Sequence, residues 1–406
     1  MLSTEVIITG FLGIAVAATI ISRKTKQPYT VVLVIIGVAL AASSASNLLG
    51  VGVIYDQLVS NGLLVGLVLP PLLFETMMSI NYTEFRATAP AALRMATVGV
   101  VIATVAGGLL LWLIGGLPIY SAFLFAALIS PTDTATVLEV FRRTKVPSRL
   151  ATMMDTEAVF NDATGITVFA IILGFSQNTT SFQLFPAILQ FILLFGGGAA
   201  VGVIVGATAQ GALRVLDDPT SETVLTLVAV YGSYSLASAL GVSGLVAVAV
   251  AGISYAVASS RSRTPEYREQ VRGFWTILAF IANSAAFLII GLSTNLHNLA
   301  VFIIPIGIAF IVILAARFVS VYSVLGLSRI DGKKIPGPWK AVATLGGMRG
   351  ALSIVLVASL PATVEDHDLI VTAVLGIAFI SIVFQGYLLS RYVRRKFGVE
   401  ESLAVA

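Results

Sequence analysis

Residues 119–142 read IYSAFLFAALISPTDTATVLEVFR, an apolar run of membrane-crossing length interrupted at its middle by Ser130, Pro131, Thr132 and Asp133. A hydrocarbon core of about 30 Å is crossed by roughly 20 residues of α-helix. Proline donates no backbone hydrogen bond and its ring disturbs the preceding turn, which frees carbonyls near Ser130 beside the Thr132 and Asp133 oxygens. Such oxygens suit a small hard cation. An ordinary proline kink would give the same break, but the acid that follows it at once favours the cation reading. A second run, PWKAVATLGGMRGALSIVLVASLPA at 338–362, is broken in the same way at Gly346, Gly347 and Gly350, with Arg349 inside the break.

Working outward, similar apolar stretches fill the chain. Of its 406 residues 57% are hydrophobic and 11% charged, and the mean hydropathy of +0.99 exceeds what a water-soluble core needs. The residues do not alternate polar and apolar as barrel strands would, so the chain reads as an all-α polytopic membrane protein of about thirteen transmembrane helices. Spans are expected at 5–22, 29–49, 61–80, 90–115, 119–142, 149–175, 182–213, 221–239, 243–260, 272–294, 299–327, 338–362 and 367–391. The first stretch, after MLSTE, has no basic region or cleavage site and reads as a retained span.

On this map 22 of the 24 Lys and Arg residues fall on one side, leaving Arg317 and Arg349 within spans. The positive-inside rule then places the protein in the cell membrane with its N-terminus outside and its C-terminus in the cytoplasm. The pI of 9.3 reflects this asymmetry, so no nucleic-acid partner is expected. Six spans, a spacer and six spans make two inverted six-helix repeats: 1–176, a linker helix 177–218, and 219–394, followed by a short cytoplasmic tail 395–406. The broken helices, fifth and twelfth, occupy equivalent places and are expected to cross at mid-membrane. Paired breaks of this kind point to a transported substrate.

Ionisable side chains at the bilayer centre cost at least ~2.5 kcal/mol each, so those present need an account. They are Glu75 at the end of LPPLLFE, Asp133, Glu157, Asp162, Arg317 and Arg349. In DTEAVFNDATG (155–165) helical spacing places Asp155, Ala158 and Asp162 on one stripe and Glu157, Asn161 and Thr164 on the next. Asp162 lies roughly 20 Å along the helix from its cytoplasmic end, level with Asp133, where the two could share a cation. Asp155 either lines a cytoplasmic funnel or is an interfacial acid balancing Arg149 or Lys145. Glu157 and Arg349 are expected to form a buried ion pair with Asn161 hydrogen-bonded between them; an Arg349–Asp162 pair is the alternative and would weaken the cation site.

At these residues the sequence resembles the sodium/proton antiporters of the NhaP/NHE type, within the cation/proton antiporter superfamily. The resemblance spans essentially the whole chain and rests on LPPLLFE (69–75), SPTD (130–133), EAVFND (157–162), ANSAAFLIIGL (282–292) and GGMRGALS (346–353). It implies a homodimer in which spans four to six and eleven to thirteen form a mobile core against a scaffold of the remaining spans. It also implies Na+ bound at Asp162, Asp133, Thr132 and Glu75, with Asp162 carrying the proton and Asn161, Glu157 and Arg349 orienting the site. Many relatives have Ser where this chain has Ala158, which leaves one hydroxyl to be supplied otherwise and bears on the preference among Na+, Li+ and K+.

If Asp162 takes either one H+ or one cation, and the core crosses only when that charge is neutralised, exchange is coupled one for one. No second carboxylate with a lysine partner lies in the spans, which favours electroneutral exchange. The expected cargo is Na+ or Li+ against H+, with no cofactor. His297 and His367 fall in external loops, away from any proton relay. The external Glu365–Asp368 run, with Glu5 and Asp56, reads as a hydrophilic surface, and Gly196–Gly198 as close helix packing. There is no cysteine for a disulfide or a thiolate metal site. An intramembrane aspartyl protease is disfavoured by the lack of a GxGD element, so the chain is not expected to be an enzyme. A K+/H+ antiporter, a sodium-coupled organic-anion symporter and a channel are the nearer rivals.

Overall fold

The computed structural model describes residues 4–25, 27–43, 64–133, 135–141, 144–177, 183–216, 218–293, 296–358, 360–361 and 363–398. A helix lies over every one of the thirteen expected stretches. In chain order the helices are α1 (Thr4–Thr25), α2 (Tyr29–Ala42), α3 (Leu69–Met78, entered through a π-helical turn at Leu64–Val68), α4 (Tyr82–Arg94), α5 (Val100–Leu113), α6 (Ile119–Ile129), α7 (Ala135–Phe141) and α8 (Ser148–Gln177). There follow α9 (Leu184–Leu213), α10 (Pro219–Ala239), α11 (Gly244–Ser262), α12 (Pro265–Ser293), α13 (Leu296–Val301) and α14 (Ile303–Leu327). The last are α15 (Gly337–Leu345), α16 (Ala351–Ala358), α17 (His367–Ile380) and α18 (Gly386–Phe397). Arg329–Ile330 and Lys333–Lys334 pair as a small antiparallel hairpin between α14 and α15. Among the described residues, seven helical stretches are long and apolar enough to cross a membrane unaided, and four shorter apolar helices accompany them. The chain is thus a multi-pass helical membrane protein. Asp56 of the external acidic set and Arg142 and Arg143 of the basic face lie outside the described residues.

Helix ends follow local chemistry and overrun the hydropathy limits where caps allow. The α4 helix starts at Tyr82 because Asn81 accepts hydrogen bonds from the Thr83 and Glu84 amides. It continues into α5 through a π-helical turn at Met95–Gly99, where the Gly99 carbonyl accepts the Ser320 hydroxyl at 2.6 Å. The α12 helix starts at Pro265, seven residues before its expected span, with the Thr264 hydroxyl accepting from the Tyr267 amide. Asp218 caps α10, and the Ser221 amide that it binds at 2.7 Å holds its carboxyl below the usual carboxylate range.

Two helix pairs cross at backbone contact. At the α2–α12 crossing a Cβ on Gly37 would lie 2.6 Å from the Leu288 carbonyl oxygen and 2.8 Å from the Gly291 Cα. The α9–α11 crossing uses Gly197, Gly198, Gly202 and Gly206, so close packing accounts for two of the three consecutive glycines; Gly196 faces open space. Replacing Gly37 with Leu is expected to wedge α2 off α12. We expect this to lower stability in detergent by about 1–3 kcal/mol, read as a lower thermal midpoint. An unchanged midpoint would show that the crossing carries no stability.

The core is divided into several buried clusters. Phe74, Phe125, Leu128, Phe160, Val246 and Trp275 belong to its largest buried cluster, with the Phe74 and Trp275 rings 4.6 Å apart. Glu222, a buried acid that hydropathy placed at a span end, accepts Tyr255 Oη at 2.7 Å and Arg263 Nε at 3.0 Å, tying α10 to α11.

Candidate functional site

The two interrupted helices meet at their breaks. Helix α6 stops at Ile129 and α7 resumes at Ala135; α15 stops at Leu345 and α16 resumes at Ala351. The Asp133 amide donates to the Met348 carbonyl at 2.8 Å, a single antiparallel bridge that joins the breaks. Unwound backbone inside an apolar interior is tolerated only where its polar groups find partners. Here the partners are identifiable. Arg349 Nη1 donates to the Ser130 and Pro131 carbonyls at 2.9 and 3.2 Å. Asn161 receives the Thr132 amide on Oδ1 at 3.4 Å and returns Nδ2 to the Thr132 hydroxyl at 2.8 Å. On the other break, Arg317 donates to the Ala343 carbonyl and Gln385 Nε2 to that of Leu345 at 2.8 Å. Gln385 closes a π-helical turn, Ser381–Gln385, whose Ser381 hydroxyl accepts the Arg349 amide.

These contacts correct one sequence expectation. Glu157 pairs with Arg317, Oε1 to Nη1 at 2.6 Å with both side chains at most 4% exposed, and not with Arg349. Arg349 follows Met348, whose carbonyl is tied to Asp133, and its guanidinium lands on the Ser130 and Pro131 carbonyls at the end of α6 rather than on a carboxylate. Asn161 accordingly braces the first break instead of bridging an ion pair. The carbonyls near Ser130 that the sequence offers to a cation accept Arg349 instead. The alternative pairing of Arg349 with Asp162 is absent among the described ion pairs, which leaves Asp162 to the cavity.

That cavity has a volume of about 640 Å³ and contains Asp162, Asp133, Thr132, Ala158 and Glu75 in its wall. Asp162 sits near the midpoint of α8 and within electrostatic reach of Asp133. Glu75 comes from the α3 wall. Gly350 makes room for Asp133: a Cβ there would fall on the Asp133 carboxylate, 2.5 Å from its Cγ. The space extends past Glu139 and Tyr29 to Ser22 and the exposed Arg23 at the end of α1, so it opens at the basic end of the bundle.

Asp155 does not line it, although it shares a stripe with Ala158 and Asp162, and Arg149 pairs with Asp331. The acid near the opening is Glu139 of α7, whose Oε2 accepts the Tyr29 amide at 2.8 Å. Sequence reading passed over Glu139 because it follows the break by two turns and resembles an interfacial residue. Arg317 and Gln385 were legible only as polar residues inside apolar runs. Among the described residues no three His, Asp or Glu side chains group closely enough to hold a metal ion. His367 sits at the surface against Asp368, at 3.0 Å.

Comparison with known proteins follows this geometry. The profile of the family described as "Sodium/hydrogen exchanger, transmembrane" matches residues 11–395. The Na(+)/H(+) antiporter ApNhaP of Aphanothece halophytica is 32% identical over 385 residues, covering 94% of this chain and 72% of that protein. The low-affinity Na(+)/H(+) antiporter NhaS1 of Synechocystis is 32% identical over 392 residues, covering 94% and 72%. The sodium proton antiporter MjNhaP1 of Methanocaldococcus jannaschii, solved at pH 8, superposes with a TM-score of 0.76 at 21% identity, covering 96% of this chain and 99% of that one.

Proposed function

The chain belongs to the sodium/hydrogen exchanger family, and we propose that it is a Na+/H+ antiporter in which one cation and one proton take turns on Asp162. The observation that carries this reading is the placement of Asp162 and Asp133 in the wall of one cavity, beside two helix breaks whose freed backbone is held by Arg349, Asn161, Arg317 and Gln385. Neither arginine is hydrogen-bonded to Asp162. A cation or a proton is then needed to neutralise it.

The Thr132 backbone carbonyl and the Asp133 and Glu75 carboxylates supply further oxygens for Na+ or Li+, and Asn161 and Arg349 hold the first break in register. The Glu157–Arg317 pair fixes α14 against α8 and α15. Both breaks move as one body because the Asp133–Met348 bridge joins them, which suits alternating access by α4–α8 and α14–α18 against the remaining helices. The two inverted repeats, 1–176 and 219–394, supply that symmetry. With the basic face in the cytoplasm, the open end at Arg23 makes this the inward-facing state. Exchange is electroneutral, and the working unit in the cell membrane is a homodimer.

The test is purified protein in proteoliposomes with an internal pH dye, to which Na+, Li+ or K+ is added with valinomycin and K+ clamping the potential. Cation addition is expected to collapse the pH gradient at any clamped potential. A rate that follows potential would overturn electroneutrality. Absence of proton movement with every cation would bring the symporter or channel reading forward.

A further inference from the structure

The acid pair of the cavity needs uncharged oxygens around it to hold a bare monovalent cation, and one buried hydroxyl of its wall has no hydrogen-bond partner. Ser353 stands in the first turn of α16, 1% exposed, in the cavity wall. Its Oγ makes no hydrogen bond. Of the buried hydroxyls left in that condition among the described residues, Ser353 alone lines the cavity. Buried serines in helices ordinarily return their proton to the carbonyl one turn back, as Thr164 and Thr167 do on α8. An idle hydroxyl here is a group kept for a partner that comes and goes.

Its place agrees with that. Ser353 follows Gly350 by three residues across the start of α16, and both line the cavity. Gly350 is the residue against which the Asp133 carboxylate packs. On α8, Ala158 presents only a methyl group to the cavity one turn from Asp162. Thr132 is already engaged with Asn161. The Ser353 hydroxyl is therefore a buried, uncommitted neutral oxygen in the wall that also holds the acids.

Resting on the antiport reading above, we propose that Ser353 Oγ is a ligand of the transported cation and sets its affinity and selectivity. With the cation bound, the hydroxyl turns its lone pair to the ion. With the proton bound, it donates to an acid of the site. Besides the acids of the cavity, the buried charges at the breaks are Arg349, Arg317 and Glu157, each committed to a contact already described.

The experiment is a titration of Na+ and of Li+ against the initial rate of proton movement in proteoliposomes, for wild type, Ser353→Ala and the double variant Ala158→Ser/Ser353→Ala. Loss of the hydroxyl is expected to raise half-saturating Na+ about tenfold and to change the Na+ to Li+ ratio, the effect falling on half-saturation more than on maximal rate. A hydroxyl returned on the facing wall in the double variant is expected to recover most of that affinity, which a merely structural serine would not do. Should the alanine variant not fold, the shape-matched pair Ser353→Thr and Ser353→Val reads the same hydroxyl, with Thr close to wild type and Val tenfold weaker. Equal half-saturation and selectivity in Ser353→Ala and wild type would overturn the proposal while leaving antiport standing, as would equal behaviour of Thr and Val. Failure of the wild-type protein to exchange at all would instead overturn the reading on which it rests.

Discussion

Asp162→Asn is expected to reduce Na+-driven proton movement to the level of protein-free vesicles, with the protein still folded. Asparagine is nearly isosteric with aspartate, but it can neither release a proton nor neutralise a cation. The side chain it replaces faces the cavity and is held by no arginine, so no buried charge is stranded by the change. The variant should therefore elute and melt like wild type in detergent while Na+, Li+ and K+ all fail to collapse the pH gradient. Asp133→Asn is expected to weaken cation affinity but leave coupling, because the proton still has its carrier. Cation-driven proton movement surviving in Asp162→Asn would move the carrier to Asp133 or Glu75 and would undo the one-for-one argument, which depends on a single shared carboxylate.

Glu157→Gln is expected to produce the largest loss of stability. Removing one partner of a buried ion pair leaves an uncompensated charge and costs about 3–5 kcal/mol, whereas replacing both partners with apolar groups is often close to neutral. Arg317 is 3% exposed and its remaining hydrogen bonds go to the Ala343 carbonyl, which offsets little of a full charge. The thermal midpoint in detergent should fall sharply for Glu157→Gln and recover in part when Arg317→Met is added. Recovery is incomplete because the Ala343 carbonyl then loses its donor at the second break. A Glu157→Gln variant as stable as wild type would show that the Glu157–Arg317 pair carries no net stability.

Much of the fold was legible because lipid is a severe solvent. Any backbone left unpaired in hydrocarbon costs several kcal/mol, so apolar runs of membrane-crossing length become helices whatever their neighbours do. The same severity made the two breaks visible, since Pro131 and the Gly346, Gly347 and Gly350 set have no reason to stand in mid-run otherwise. It also made Asp162, Asp133 and Glu75 visible as acids. Helix ends were legible less well, because Asn81 and Thr264 cap polar turns that hydropathy counts as loop.

Partner choice was another matter. Periodicity places Glu157 and Asn161 on one stripe of α8 but says nothing of which helix lies against that stripe. Both arginines stood at comparable depth and carried the same charge. What separated them was the crossing of the breaks: once the Asp133 amide takes the Met348 carbonyl, Arg349 is delivered to the Ser130 and Pro131 carbonyls, and α14 brings Arg317 to Glu157. Asp155 and Glu139 changed places as acids near the opening for the same reason, because the shape of a cavity depends on several helices at once. The sequence by itself therefore determined the helices, their breaks and the stock of buried charges, since each depends on a residue and its solvent. Only the tertiary structure decided which charges neutralise one another, which carbonyls remain free and which hydroxyl is left idle, since those depend on distances between segments far apart in the chain.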